Sequence, residues 1–197
     1  TGRHGPERLG ACTDCRRFWA QYRAGTVSTE QINSIEGSLA TTAGTCAVMG
    51  TASTMACIAE ALGMMLPGTA AIPAVHADRL RAAEASGKMA VRLIHDPIRP
   101  SQIITRASVG NALRVLLALG GSTNAIIHLT AVAGRAGIDI PLDWLNELSE
   151  TTPVLVNLKP TGPHYMEDFH AAGGMGAVLR ELAPLLDHSC LTITGET

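Results

Sequence analysis

Apolar residues recur at helical spacing along most of the chain. The strongest stripe joins Val109, Ala112, Leu113, Leu116 and Leu117, whose i, i+3, i+4, i+7, i+8 spacing predicts a helix packed on a core. Capping residues, glycines and prolines divide the rest of the chain into further segments. The predicted helices are residues 13–24, a helix from Ser28 carrying Ile32, Ile35 and Leu39 on one face, 51–62, 77–94, a helix between Thr105 and Gly120, 122–136, 142–148, 165–172 and 176–186.

Strand patterns are few and short. Residues 154–158 follow Pro153 as an apolar run, and residues 191–194 alternate apolar side chains with threonine, so both are predicted strands. Residues 1–11 are predicted to be loop. This pattern indicates an α/β protein, namely the helix-rich portion of a three-layer α/β/α domain. Part of the sheet is then expected to come from sequence outside these 197 residues.

The segment 115–134 contains twenty residues without a formal charge, which is long enough to span a membrane. Its centre is the polar and glycine-rich G-G-S-T-N of residues 120–124, and His128 follows. We therefore predict two buried helices separated by a turn, the second capped by Ser122 or Thr123, and no membrane span.

The composition combines many apolar residues with few charges. Apolar residues make up 46% of the chain and charged residues only 16%, against about 25% in an ordinary domain. Disordered chains have the opposite balance. Fifteen basic residues face 17 acidic ones without a basic run, which argues against nucleic-acid binding. So few charges predict exposed apolar patches, near Cys46 and the 120–124 turn, that face other parts of a longer protein. The Thr1 start favours a segment of a longer chain.

Cys46 is the most informative cysteine of the five. It lies between Gly44 and Gly50, immediately before the predicted start of a helix. Free amide groups and the helix dipole favour a negative charge at such a place, so a thiolate there suits a metal or catalysis. The alternative is a buried structural cysteine. The odd number of cysteines predicts reduced thiols and a cytoplasmic location.

Two further motifs have simpler alternatives. Cys12 and Cys15 form a CxxC pair that suits zinc or redox chemistry, but a structural zinc site usually needs a second pair. The 120–124 turn resembles an anion-binding helix start, without the lysine and glycine spacing of a phosphate-binding loop. It is otherwise a tight turn whose polar side chains line a pocket.

The histidines offer possible ligands without a diagnostic spacing. They are His76 with Asp78, His128 among apolar residues, and His164 and His170 near Glu167 and Asp168. No pair has the helical HxxxH spacing of a zinc enzyme.

Several further segments stand out when they are taken together. They are G-T-C-A-V-M-G-T-A-S-T-M at 44–55, A-I-P-A at 71–74, L-G-G-S-T-N-A at 119–125, V-N-L-K-P-T-G at 156–162, G-G-M at 173–175 and L-T-I-T-G-E-T at 191–197. In this order and spacing they resemble the family of dihydroxy-acid and sugar-acid dehydratases. The resemblance covers essentially the whole chain. It implies a hydro-lyase that converts 2,3-dihydroxy acids, including aldonic acids, to 2-oxo-3-deoxy acids. The segment corresponds to the later part of the large N-terminal domain, and a barrel-like C-terminal domain is missing.

The resemblance also implies the cofactors. Cys46 matches one of three cysteines that hold an iron–sulfur cluster, with 2Fe–2S favoured over 4Fe–4S. Thr45, Met49, Ser122, Thr123 and Asn124 are expected to line the pocket. The other cluster cysteines, the Mg²⁺ ligands and the catalytic serine match no residue of this chain, so the segment alone is expected to be inactive.

Three alternatives remain open at this point. The G-T-C and A-I-P-A segments favour a pentonate dehydratase, and the close alternative is the dihydroxy-acid dehydratase of branched-chain amino-acid biosynthesis. A different class is a non-catalytic metal or redox module built on Cys12, Cys15 and Cys46. The expected partner is a small hydroxy acid, and the full-length protein is expected to form a homodimer or homotetramer.

Overall fold

The fold is described by a computed structural model that covers residues 1–44 and 47–197. Helices dominate this part of the chain, which confirms the helix-rich α/β prediction. The elements in chain order are β1 (Gly2–His4), β2 (Glu7–Leu9), α1 (Ala11–Arg23), α2 (Thr29–Leu39), α3 (Thr51–Ala61), α4 (Ala77–His95), α5 (Pro100–Ile103), α6 (Arg106–Ala118), α7 (Asn124–Arg135), α8 (Leu142–Thr151), α9 (Met166–Ala171), α10 (Gly174–Leu182) and a 3-10 turn (Ala183–Leu185).

The N-terminal elements form a small core of their own. Strands β1 and β2 pair antiparallel, with Gly2 opposite Leu9. Helix α2 begins with the predicted capping box, in which the Ser28 hydroxyl accepts from the Gln31 amide and the Gln31 side chain accepts from the Ser28 amide. The core of this unit consists of Leu9, Phe18, Ile32 and Ile35, all buried. The predicted apolar face of α2 is thus confirmed.

Helices α3 and α6 form the centre of the molecule. The predicted stripe of α6 is buried at Val109, Ala112, Leu113 and Leu116, and Leu117 is partly buried. One side of the pair packs against α7 and α8. On the other side, α9 and α10 bring in a second group of buried apolar residues, consisting of Met49, Cys57, Ala71, Val115, Ala118, Leu119, Leu158, Phe169, Met175, Val178 and Leu182.

The strand predictions are wrong. Residues 154–157 have no regular secondary structure, and among the described residues Leu158 forms only an isolated bridge with His164. Residues 191 and 192 have no regular secondary structure and residues 193 and 194 lie in a turn, where the Ile193 amide donates to the Gly63 carbonyl. The predicted N-terminal loop contains the β-hairpin instead. The two described strands form only a hairpin and cannot by themselves make a central sheet. The three-layer arrangement therefore stays a prediction for the longer protein.

Two helices are more exposed than their apolar content predicts. Helix α7 was expected to be buried on most faces, but Ile127 is 71% exposed and only Ala125, Leu129 and Ala133 are buried. Helix α4 contains no buried residue, and its Leu80 and Ile94 are more than three-quarters exposed. Among the described residues, no helix combines the length and apolarity needed to cross a membrane.

Candidate functional site

Thr45 and Cys46, the predicted pocket residue and cluster ligand, lie outside the described residues. Their described neighbours are Gly44 and Ala47. Gly44 has a φ of +131°, and a Cβ placed there would lie 2.5 Å from the Cβ of Ala74. Glycine is required at this position for two reasons, namely the left-handed backbone conformation and the close approach of Ala74.

The residues that follow Cys46 are held by backbone hydrogen bonds to a distant part of the chain. The Ala47 carbonyl accepts from the Met166 amide at 2.8 Å, and the Met49 amide donates to the Lys159 carbonyl at 2.9 Å. Residues 47–49 are therefore fastened to the segment 159–166. From the other side, the Ser53 hydroxyl in the first turn of α3 donates to the carbonyl of residue 48 at 3.1 Å.

Met49 was expected to line the pocket. The structure places it in the hydrophobic core instead, where its side chain is 3% exposed and packs with the group that contains Cys57 and Val115. Its contribution to the site is the backbone bond to Lys159 rather than an open side-chain surface.

A cavity of about 400 Å³ borders Gly44 and Ala47. Small and apolar residues form most of its wall, and the charged side chains in the wall are Arg79 and Glu167. The lining includes Ala43, Gly44, Ala47, Ala56, Ala70, Ala71, Ile72, Pro73, Ala74, Val75 and Met166. The wall also includes the polar residues Thr1, Thr42 and Ser53, so the cavity combines room for a bulky group with a few polar partners.

The two glycine-rich motifs singled out from the sequence meet in the structure. The Thr51 hydroxyl, in the first turn of α3, lies 2.9 Å from the Ser122 hydroxyl and accepts from the Asn124 amide side chain at 3.1 Å. The Ser122 backbone amide donates to the Thr54 hydroxyl at 3.1 Å. The start of α7 is thereby joined to the helix that follows Cys46.

Gly121 permits this contact. A Cβ at Gly121 would lie 2.7 Å from the Thr54 methyl group and 2.9 Å from Leu116 Cδ1. Thr123 occupies the N-cap position of α7, and its side chain makes no capping bond, while the Ser122 hydroxyl accepts from the Asn124 amide at 3.3 Å. Ser122 is partly buried, and Thr123 and Asn124 are exposed.

The thiols of the described residues differ in their surroundings. Burial, together with the nearby Glu60 carboxylate, raises the pKa of Cys57 to about 12. Burial also raises the pKa of Cys190. Cys12 is exposed and Cys15 partly exposed, and all four are free. Cys57 and Cys190 are thus poor thiolate ligands, while Cys12 and Cys15 stay available at the start of α1.

A buried carboxylate that sequence inspection missed anchors the segment 159–166. Asp14 is 4% exposed and accepts from Lys159 Nζ at 2.8 Å, from Arg17 Nη2 at 3.0 Å and from the Gly10 amide. Burial raises the pKa of Asp14, but the hydrogen bonds from Lys159, Gly10 and Arg17 outweigh it, so the net pKa lies below its usual value. These partners lie up to 145 residues apart, which no local pattern shows.

A second ion-pair group lies beside the cavity. Arg8 forms a two-pronged pair with Asp168, at 2.8 Å for each bond, and donates to Glu167 at 2.9 Å. The Arg8 hydrogen bonds lower the pKa of Asp168 to about 2. The Arg8 guanidinium also lies 4.5 Å from the centre of the Tyr165 ring. The N-terminal hairpin is therefore joined to α9, whose first turn lines the cavity.

Comparison with known proteins identifies the family. The family model described as the N-terminal domain of dihydroxy-acid and 6-phosphogluconate dehydratases matches residues 2–197. The chain belongs to this family. The match includes the Cys46 segment, the 120–124 turn and the segment 159–166, which the structure joins by hydrogen bonds.

Individual relatives carry two kinds of name. A dihydroxy-acid dehydratase of Caldanaerobacter subterraneus is 47% identical over 89% of this chain and 32% of its own length. A 6-deoxy-6-sulfo-D-gluconate dehydratase of Pseudomonas putida is 43% identical over 96% of this chain and 33% of its own length. Dihydroxy-acid dehydratase 2 of Corynebacterium efficiens is 46% identical over 97% of this chain and 32% of its own length. The chain spans about a third of the length of these relatives.

Proposed function

We propose that the protein carrying this chain is a hydro-lyase that converts 2,3-dihydroxy carboxylic acids to 2-oxo-3-deoxy acids. In this reaction the C2 proton and the C3 hydroxyl leave as water, and the resulting enol tautomerises to the 2-oxo acid. The observation that carries the proposal is the family match over residues 2–197, together with relatives named as dehydratases of dihydroxy and sugar acids.

An iron–sulfur cluster is the cofactor implied by the family, and the described surroundings of Cys46 fit such a group. The approach of Gly44 to Ala74 would be blocked by a single Cβ, and the adjoining cavity of about 400 Å³ has a wall of small residues. We propose Cys46 as a thiolate ligand of a 2Fe–2S cluster, with Mg²⁺ held by residues beyond this chain. When bound, such a cluster supplies a Lewis-acidic iron for the departing hydroxyl.

The chain's own residues position the site. Residues 47–49, directly after Cys46, are fixed by hydrogen bonds that the Met166 amide and the Ser53 hydroxyl donate to them and by one that the Met49 amide donates to the Lys159 carbonyl. Thr51 and Ser122 join the starts of α3 and α7, whose free amide groups favour a carboxylate or a thiolate nearby. In this proposal Thr45, Ser122, Thr123 and Asn124 contribute polar groups to the substrate pocket.

The substrate is tested by a panel of acids with the intact protein loaded with its cofactors. Aldonic acids of five and six carbons are compared with 2,3-dihydroxyisovalerate, and the 2-oxo acid product is measured. We propose the sugar-acid side of the family, so kcat/KM is expected to be highest for a pentonic acid. A preference for 2,3-dihydroxyisovalerate instead assigns the branched-chain biosynthetic reaction, and no 2-oxo acid from any member of the panel contradicts the hydro-lyase proposal.

A second candidate is a metal or redox module that uses Cys12, Cys15 and Cys46. The observation in its favour is that a Cβ at Gly10 would lie 2.9 Å from Val48 Cγ1, so the start of α1 packs near the segment after Cys46. Reconstitution with iron and sulfide separates the candidates. Loss of the cluster in Cys12→Ser supports the module, whereas an unchanged cluster supports the hydro-lyase assignment.

The same proposal includes the setting of the full-length protein. We propose a homodimer or homotetramer, because exposed apolar side chains such as Val75, Ile127 and Val154 lie near the cavity or the 120–124 turn. A cytoplasmic location is also part of the proposal. Light scattering of the intact protein measures the assembly, and a monomer at micromolar concentration would contradict this part of the proposal.

A further inference from the structure

Two histidines and an aspartate meet where the start of α4 approaches the end of α9. His76, Asp78 and His170 each bring one ligand atom to a place where all three atoms lie within 4.8 Å of one another. The rings of His76 and His170 have their centres 5.4 Å apart and are inclined by 67°. Among the described residues, it is the one group of three or more histidine, cysteine or acidic side chains whose ligand atoms are close enough together to hold a metal ion.

Local structure fixes two of the three residues. His76 is the N-cap of α4, and its Nδ1 accepts from the Asp78 amide at 3.2 Å. Asp78 then lies in the first turn of α4, with Oδ2 3.3 Å from the same ring nitrogen. The third residue, His170, lies in the last turn of α9. Because α4 and α9 are separate in sequence, spacing alone could not reveal the group.

Some of the surrounding charges favour a bound cation and others oppose it. Arg81 pairs with the other oxygen of Asp78, and the start of α4 contributes partial positive charge, so both oppose a cation. The Asp78 carboxylate and the carbonyl end of α9 attract one. The Arg79 guanidinium, which is nearby in sequence, donates to the Ile72 carbonyl instead. The balance leaves one carboxylate and two imidazoles facing each other at the partly exposed surface.

We propose that His76, Asp78 and His170 bind a divalent transition-metal ion. Two imidazoles and one carboxylate suit Zn²⁺, Co²⁺, Ni²⁺ or Fe²⁺, whereas Mg²⁺ prefers oxygen ligands alone. Three protein ligands at a partly exposed place leave positions for water or a small anion. Among the described residues the group contains no thiol, and its binding of an ion does not depend on the proposed dehydratase activity.

Co²⁺ titration of the full chain tests the proposal, with binding followed by calorimetry and visible absorption. We expect one Co²⁺ bound without the intense near-ultraviolet charge-transfer band of cobalt–thiolate sites. The double variant His76→Ala/His170→Ala is expected to lose this binding, and Asp78→Asn to weaken it by about tenfold or more. The matched control is His128→Ala, because His128 is also an exposed helical histidine.

The variants separate metal binding from folding. His76 is exposed and His170 partly exposed, so circular dichroism of the double variant is expected to match that of the unaltered chain. His170→Gln provides a second variant that keeps a polar side chain but removes the imidazole. Unchanged Co²⁺ affinity in the double variant, a cobalt–thiolate spectrum, or no Co²⁺ binding by the unaltered chain would overturn the proposal.

Discussion

The hydroxyl oxygens of Thr51 and Ser122 lie 2.9 Å apart although the residues are 71 positions apart in the sequence. Thr51 belongs to the first turn of the helix that follows Cys46, and Ser122 precedes the start of α7. The contact therefore joins two of the motifs that carry the family resemblance. The 120–124 turn thus connects α6 to α7 and also holds the start of α7 against the start of α3.

The Thr51–Ser122 contact is expected to show measurable coupling. A double-mutant cycle with Thr51→Ala and Ser122→Ala should give an interaction free energy of about 0.5–1.5 kcal/mol, the usual contribution of a hydrogen bond. Urea denaturation of the four proteins measures it. The matched control is Ser86→Ala, whose exposed hydroxyl bonds only to its own helix and should be additive with Thr51→Ala. Full additivity of the first pair would contradict the contact.

Gly121→Ala is expected to lower the free energy of unfolding by about 1–3 kcal/mol, because its Cβ would overlap the Thr54 methyl group and Leu116. Gly134→Ala is the control, because Gly134 lies within α7 and a Cβ there would have no neighbouring atom within 4 Å. Alanine at that helical position should raise stability by up to about 1 kcal/mol. Equal effects of the two substitutions would show that close packing at Gly121 is unimportant.

The Arg8–Asp168 pair predicts a specific acid dependence of stability. The folded pKa of Asp168 is about 2, below the value of about 3.9 in an unfolded chain. The pair therefore contributes stability above about pH 4 and loses it as the pH falls toward 2. Asp168→Asn should therefore make the free energy of unfolding fall less between pH 4 and pH 2. Asp139→Asn, at an exposed position, should leave this pH dependence unchanged. Denaturation midpoints measured between pH 2 and 6 distinguish the two outcomes.

The buried Asp14 is expected to matter more than a surface carboxylate. Asp14→Asn removes the negative charge that Lys159 and Arg17 share, and it should cost about 1.5–3 kcal/mol of unfolding free energy. Glu84→Gln is the comparison, because its pair with Lys88 is exposed and should contribute less than about 0.5 kcal/mol. Similar costs for both would contradict the anchoring role of Asp14.

The sequence predicted the elements whose signals are local. The apolar stripe of α6 and the Ser28 capping box are confirmed, because both depend on residues within two helical turns. The strands at 154–158 and 191–194 were wrong, since an apolar run forms a strand only where a partner strand is available. The burial of α7 was overestimated, because an apolar helix can face parts of the protein beyond this chain.

The sequence indicated the motifs of the candidate site, but it could not indicate which residues contact each other there. The 44–50 and 120–124 segments stand out by glycine content, but only the fold brings Thr51 to Ser122 or Lys159 to Asp14. The His76, Asp78 and His170 group was likewise visible as separate residues without a shared spacing. The roles of Thr45 and Cys46, which lie outside the described residues, stay predictions.

The central claim is that Cys46 binds the cluster of a dehydratase. The most direct measurement is the visible absorbance and iron content of the intact, reconstituted protein with Cys46→Ser beside Cys12→Ser. The account predicts that Cys46→Ser loses the cluster absorbance together with 2-oxo acid formation, and that Cys12→Ser keeps both. A Cys46→Ser protein that retains its iron, its absorbance and its rate would contradict the account.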